Sequence, residues 1–513
     1  MAIFKRTIVA DDHAVTRGGH LTLKQSLLPN CLVTILFFLW GFAYGLLDVL
    51  NSHFQADLNI TASKASGLSA AYFGAYFLCP LTISGWILRH YGFRITFMTG
   101  SSTTLQNYPP DPPTHNETST NYNFPQCPGL AVLAVGCLLF WPSGVKESFG
   151  GFCGSMFVVG AGLSTLETGA DNFLSICGPP RYSEIRLNLA QGVQGVGSFV
   201  APLLASRVFF ADTVDTKQGL RNVQWVYLGV AGFVALLIIL FWIVPMPEVT
   251  DADMAVQERE IAEGGHAVDG AEGEAEGPFS KQYNLFLGVW SQFCYVGAQV
   301  AVANYFINFC QEADYSSATS SNLLAVGQGC YAFMRFVGSG LMTSKAFKPR
   351  YMLATYLALC FIFGLAAVLT HGKTSVAMLI LVLCFESICF ATIFTLALRG
   401  LGRHTKRGGS MLVAAISGGA AIPPMTGAVA TSTGNFHTAM AIPTAFYVAA
   451  WIFPVYVNVF NRESLDAHRA TDLNVDKSVV DMQDKVAEVE RGHSAATTTE
   501  MGKGEQVVRS ERA

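Results

Sequence analysis

Charge is scarce in this chain. Only 13% of its 513 residues are Asp, Glu, Lys or Arg, against about 25% in an average soluble protein. A water-facing globular surface is not built from so little charge when 51% of the residues are hydrophobic. The net charge of −4 excludes the basic surface that a nucleic-acid partner requires. The 12 cysteines include no Cys-x-x-Cys pair and no Cys/His cluster with zinc spacing, which excludes the usual metal and redox motifs. Most of them, Cys79, Cys137, Cys153, Cys330, Cys360, Cys384 and Cys389 among them, lie inside apolar runs and read as small hydrophobes. No Gly-x4-Gly-Lys-Ser/Thr loop is present, so this chain carries no nucleotide site for an ATP-driven pump. The first thirty residues are mixed polar, with Lys5, Arg6, Arg17 and Lys24, and do not read as a cleavable signal.

What the chain has in quantity is long apolar runs. Twelve are expected to cross a membrane: 30–51, 67–88, an interrupted third, 149–177, 187–208, 223–244, 283–310, 322–344, 351–370, 375–399, 409–431 and 437–460. A run of about 20 residues spans the hydrocarbon of a bilayer as a helix. The expected fold is an all-α membrane protein of twelve transmembrane helices in two six-helix bundles, 30–244 and 283–460. The acidic, Gly/Ala-rich stretch 245–282 reads as a cytoplasmic linker, helical around Asp253–Glu263 and otherwise solvated. Residues 1–29 and 461–513 read as a cytoplasmic leading segment and a disordered tail. Arg89, Arg94, Arg181, Arg186, Lys345, Lys348, Arg350, Arg399, Arg403, Lys406 and Arg407 fall in loops on one side. That side is expected to be cytoplasmic and to hold both termini.

The third span is split. Residues 93–100 read as its start and 130–142 as its end, around a polar insert, 101–129, that contains Pro109-Pro110-Asp111-Pro112-Pro113. Such a segment cannot face lipid in mid-bilayer. Two readings stand: a foreign insert, such as a translated intron, or an extramembrane loop beside a distorted span.

Acids inside apolar runs are the strongest functional signal. Glu167 sits near the middle of 149–177. A carboxylate there costs at least about 2.5–3.5 kcal/mol and is usually kept for binding or proton movement in a polar cavity. Asp171, four residues on, shares its helical face. It is expected to stand in water at the inner end. Glu386 in the tenth run reads equally as a functional acid or as a structural partner of Arg335, and Arg335 is expected to snorkel to the cytoplasmic face. The fifth run carries Asn188, Gln191 and Gln194 at three-residue spacing; the seventh carries Gln292, Tyr295, Gln299, Asn304 and Asn308. Amides donate and accept, which suits binding of a polar solute, and equally suits helix–helix contacts.

Several stretches together carry a resemblance: Phe37-Phe-Leu-Trp-Gly-Phe-Ala43 with Asp48, Phe140-Trp-Pro142, Leu166-Glu-Thr168, Arg186-Leu-Asn-Leu-Ala-Gln191, Gln292-Phe-Cys-Tyr-Val-Gly-Ala-Gln299 and Thr392-Ile-Phe394. In these the chain resembles the L-fucose:proton symporter branch of the major facilitator superfamily. The resemblance implies two rigid bundles rocking about a central sugar site, with an acid of the first span and one of the fourth, here Asp48 and Glu167, carrying proton coupling. The sequence departs from that pattern at Leu47, Asp171-Asn172, Gln194 and Ala391. The expected substrate site is Trp40, Asp48, Glu167, Gln191, Gln194, Gln292, Tyr295 and Gln299. The expected function is import of a monosaccharide, L-fucose or a related hexose, with protons across the plasma membrane. A transporter-fold sugar sensor and a carrier of another small solute are the alternatives. The expected partners are the sugar, protons and the lipid bilayer, with no nucleic acid. The protein is expected to act as a monomer, without catalysis and with no cofactor or metal beyond the proton gradient.

Overall fold

The computed structural model describes residues 21, 23–57, 62–97, 129–146, 148–204, 217–243, 246–261, 278–344, 346–462 and 465. Among them there is no strand. The helices are, in order, α1 (Leu23–Asp57), α2 (Ala62–Cys79), α3 (Gly85–Phe97), α4 (Gly129–Val145), α5 (Phe149–Ile176), α6 (Ser183–Leu204), α7 (Lys217–Ile243), α8 (Asp251–Ile261) and α9 (Tyr283–Glu312). They continue with α10 (Ser317–Thr343), α11 (Pro349–Leu369), α12 (Lys373–Phe385), α13 (Cys389–Leu398), α14 (Thr405–Ala414), α15 (Gly418–Thr433), α16 (Phe436–Ala439), α17 (Ala441–Ala450) and α18 (Ile452–Val459). The insert expected at 101–129, except Gly129, lies outside the described residues. So do residues 1–20, all of 262–277 and the tail beyond Leu465.

Eight helical stretches among the described residues are long and apolar enough to cross a membrane, and two shorter ones, Gly129–Ser143 and Leu228–Phe241, are apolar. The fifth and eighth expected spans, α6 and α10, do not join that set. These two helices pack against one another and carry Gln191, Gln194, Gln328 and Arg335 toward the protein interior. Their polar content lowers their hydropathy because one face meets a cavity instead of lipid. Elsewhere the outside is apolar: Phe77, Leu236, Phe333 and Leu369 are exposed, as expected of surface that faces hydrocarbon.

Helix ends and breaks follow local chemistry. Ser148 caps α5 by accepting from the Gly151 amide at 3.3 Å, and Ser316 caps α10 by accepting from Thr319 at 3.2 Å. These contacts satisfy backbone donors that lack an intrahelical partner. Gly92, at φ 77°, breaks α3 and separates the second span from the start of the third; the left-handed backbone suits a residue without Cβ. Between α12 and α13 the helix is interrupted at Glu386–Ile388. The Tyr295 hydroxyl donates to the Glu386 carbonyl at 2.6 Å, and Arg335 Nε donates to the Ser387 carbonyl at 2.9 Å. The Ser387 carbonyl thus gains a side-chain donor, and the Glu386 carbonyl, which also accepts from the Cys389 amide at 3.2 Å, gains a second donor.

A tight backbone approach sets a stability test. A Cβ on Gly41 of α1 would lie 1.8 Å from the Gln194 carbonyl of α6. Ser198 Oγ donates to the Gly41 carbonyl at 3.1 Å across the same contact. Because the obstacle is backbone, Gly41→Ala forces the two helices apart. Overpacking costs about 1–3 kcal/mol, so the variant is expected to melt several degrees lower in detergent. An unchanged melting midpoint would show the contact to be looser than described.

Candidate functional site

The helices enclose a polar cavity between the N-terminal and C-terminal halves. It has about 730 Å³ of unfilled space, open mouth included. From the first half α1 supplies Trp40, α2 supplies Tyr72, Phe73 and Tyr76, α5 supplies Glu167, and α6 supplies Gln191, Gln194 and Ser198. From the second half α9 contributes Gln299, α10 contributes Gln328, Tyr331 and Arg335, and the α12–α13 break contributes Glu386.

Five of the residues expected at the site therefore meet here: Trp40, Glu167, Gln191, Gln194 and Gln299. Glu167 is 6% exposed. Tyr76 lies within hydrogen-bonding reach of it, and the Tyr72 and Tyr76 hydroxyls are 3.2 Å apart. Trp40 is fixed by its indole N–H, which donates to the Leu163 carbonyl at 3.2 Å. Its ring covers the cavity wall, the kind of surface that takes the apolar face of a sugar ring. Gln299 Nε2 donates to the Tyr331 hydroxyl at 2.6 Å. The Gln191 Nε2 group is buried without a hydrogen-bond partner, which leaves a donor free beside the cavity.

Three expected residues do not line it. Tyr295 is buried one layer behind, tied to the Glu386 carbonyl. Gln292 is fully buried away from the cavity, and neither of its amide atoms has a partner. Asp48 falls within α1, but its side chain lies outside the described residues. Of the other amides, Asn188 turns back to the Glu184 carbonyl at 2.9 Å. Asn304 reaches Ser69 Oγ at 3.4 Å, across the two halves. Asn308 is half-buried.

Two expectations are overturned. Arg335 does not snorkel. It is 2% exposed and lies over the Tyr331 ring at 4.2 Å. Its Nη1 donates to the Gln191 carbonyl, and its Nη2 donates to the Tyr331 hydroxyl. The Ser387 carbonyl freed by the helix break, and the Gln191 carbonyl on α6, give the guanidinium acceptors inside the protein. Asp171 does not stand in water. It is 0% exposed, and neither carboxyl oxygen has a hydrogen-bond partner.

On the face carrying the loop arginines, the halves are tied by charge. Arg399, following α13, forms a buried ion pair with Glu184 of α6. Lys406 Nζ lies 3.6 Å from Glu248, whose carboxylate also accepts from the Phe93 amide at 3.0 and 3.1 Å. The first helix of the linker, α8, docks here on Gly402–His404, capped by mutual Thr250–Asp253 hydrogen bonds of 2.9 and 3.1 Å. Among the described residues no group of three or more metal-ligating side chains occurs.

A helical membrane protein with a polar cavity shared by two halves, and ionic ties closing one face, has the construction of a carrier. The family model of the Major Facilitator Superfamily matches residues 127–424, and the chain belongs to that superfamily. It is 26% identical over 452 residues to the L-fucose-proton symporter of Escherichia coli (strain K12), covering 84% of this chain and 93% of that protein. It is 28% identical to a glucose/galactose transporter of Brucella abortus, covering 81% and 90%. The crystal structure of the superfamily transporter FucP in the outward conformation matches with a TM-score of 0.64 at 26% identity, over 84% of this chain and 99% of that one. The resemblance read from the sequence is thereby borne out.

Proposed function

We propose that this protein is a proton-coupled symporter that imports a monosaccharide, L-fucose or a related hexose, by alternating access. The observation that carries the reading is the cavity between the halves, where a buried carboxyl, Glu167, faces amides and an aromatic wall. Ionised carboxylates and amides accept from and donate to sugar hydroxyls. The relatives named above are sugar carriers by name, one an L-fucose-proton symporter and one a glucose/galactose transporter. Arg335 directs Nε, Nη1 and Nη2 to carbonyl and hydroxyl oxygens of the protein, which favours a structural role for it over capture of an anionic solute. The basic loops on one face support an orientation with both termini cytoplasmic, and import from outside the cell requires the plasma membrane. The driving force is the proton gradient, with no other cofactor, and one chain suffices because the cavity is lined from within it.

The test uses purified protein in proteoliposomes. Adding the transported sugar outside is expected to acidify the lumen, and a proton uncoupler is expected to abolish accumulation. A panel of unlabelled sugars competing with labelled fucose identifies the substrate. Full accumulation in the presence of the uncoupler would end the symport reading.

A further inference from the structure

We propose that Glu386 is a second proton-binding carboxyl of the transport cycle, acting from the C-terminal half as Glu167 acts from the N-terminal half. The proposal rests on the symport reading above and extends it to a residue outside the expected site.

Glu386 is 1% exposed, yet it lines the same cavity as Glu167 from the opposite half. One carboxyl oxygen accepts from the Tyr447 hydroxyl at 2.7 Å, and Gln299 lies within hydrogen-bonding reach. The helix break at Glu386–Ile388 does not call for an acid. It needs partners for its backbone carbonyls, and Tyr295 and Arg335 supply them. Nor is the carboxylate in direct contact with Arg335. No ion pair joins the two among the described residues, and every guanidinium contact there goes to a neutral oxygen of Ser387, Gln191, Gln194 or Tyr331.

Charge balance then demands protons. Glu167, Asp171 and Glu386 are three buried acids, and Arg335 is the cation that acts on Glu167, Asp171 and Glu386 alike. With all three acids ionised this region would carry a net charge of −2, which hydrocarbon surroundings do not tolerate. The titratable groups facing Glu386 are Tyr447 from α17, Tyr295 from α9, Tyr331 and Arg335 from α10, and Cys360 from α11. Cys384 and Cys389 flank it on its own chain segment. Of these only arginine is ordinarily charged at neutral pH.

Arg335 also links the acid to the motion. It is carried by α10 but donates to Gln191 on α6 of the other half. Separation of the halves at this level removes that acceptor. The guanidinium then needs a new one, and the Glu386 carboxylate is near. The Glu386 O–H bond breaks, its proton passes to water entering from the open side, and the carboxylate keeps the electron pair and pairs with Arg335. On return to the other orientation a proton from that side's water rebuilds the acid. Proton release is thereby tied to which side is open.

The experiment measures protons entering per sugar in proteoliposomes, with a lumenal pH dye and labelled sugar, so that the result is independent of turnover rate. Glu386→Gln is expected to lower that ratio to about half the wild-type value and to flatten the pH dependence of uptake. A ratio and pH profile equal to wild type would overturn the proposal. If the wild type itself moves no protons with sugar, the symport reading falls and the proposal falls with it, so the two failures are distinguishable. Where Glu386→Gln does not fold, Tyr447→Phe keeps the acid and removes its phenolic donor. That variant is expected to displace the pH of half-maximal uptake by about half a unit or more. No displacement would again overturn the proposal.

Discussion

Replacing Glu167 by glutamine is expected to cut concentrative uptake by the share of one proton while leaving exchange of sugar across the membrane detectable. The size of the effect follows from the driving force. A gradient of one pH unit is worth about 1.4 kcal/mol per proton, and a potential of 100 mV adds about 2.3 kcal/mol. Together they sustain an accumulation of roughly 500-fold for each proton moved with the sugar. A glutamine at 167 keeps the shape and a carbonyl acceptor in the cavity wall, but it cannot gain and lose the proton. The accumulation ratio is therefore expected to fall by about 500-fold, the share of one proton. Sugar affinity is also expected to weaken, by up to about tenfold, because a neutral acceptor makes weaker hydrogen bonds than a carboxylate. Counterflow and energised uptake in the same vesicles separate the two effects. Accumulation at the wild-type level by the glutamine variant would remove Glu167 from the coupling mechanism.

The path from sequence to fold was open at most positions because membrane helices announce themselves by length and hydropathy. The eight strongly apolar stretches all lie where apolar runs were read. The less apolar α6 and α10 were read as the apolar runs 187–208 and 322–344 all the same; the stripe of Asn188, Gln191 and Gln194 was read in the first of them, whereas Gln328 of α10, which also lines the cavity, was not. Glu167 was legible because an acid in mid-span is costly and is seldom kept unless it faces a polar cavity. Arg335 was misread because the residue alone does not show which way its side chain runs. Its acceptors come from α6 and from a helix break, and the break contains neither Pro nor Gly. The face of a helix was readable but depth along it was not. Gln292 and Gln299 are seven residues apart, hence on one face of α9, yet Gln299 reaches the cavity and Gln292 is sealed in packing. Tyr72, Phe73 and Tyr76 carried no signal at all, since aromatic residues in an apolar helix ordinarily serve as core.

Breaking the Arg399–Glu184 pair is expected to shift the carrier between its two orientations. The pair joins α6 of one half to the end of α13 of the other, with the carboxylate almost fully enclosed. Arg399 is further fixed through Nη1, which donates to the Leu465 carbonyl at 3.0 Å. In Glu184→Gln the guanidinium stays enclosed without its counter-charge as long as the halves remain joined at this face. Removing one partner of a buried pair costs about 3–5 kcal/mol. The arginine side chain is about 10% exposed, so the lower figure applies. Separation of the halves returns Arg399 to water, so the cost falls on the joined state alone. An equilibrium displaced by about 3 kcal/mol moves roughly 150-fold toward the orientation open at the basic face. Thr405, buried at this face, offers a reporter: in a background without native cysteines, Thr405→Cys is expected to react with a maleimide far faster when Glu184→Gln is present. The charge-reversed pair, Glu184→Arg with Arg399→Glu, is expected to restore slow labelling because it restores the attraction. Equal labelling rates with and without Glu184→Gln would mean that the pair bears on packing within the closed face and not on the choice of orientation. In that case the Lys406–Glu248 contact and the docked α8 would be left as the elements that hold the halves together there.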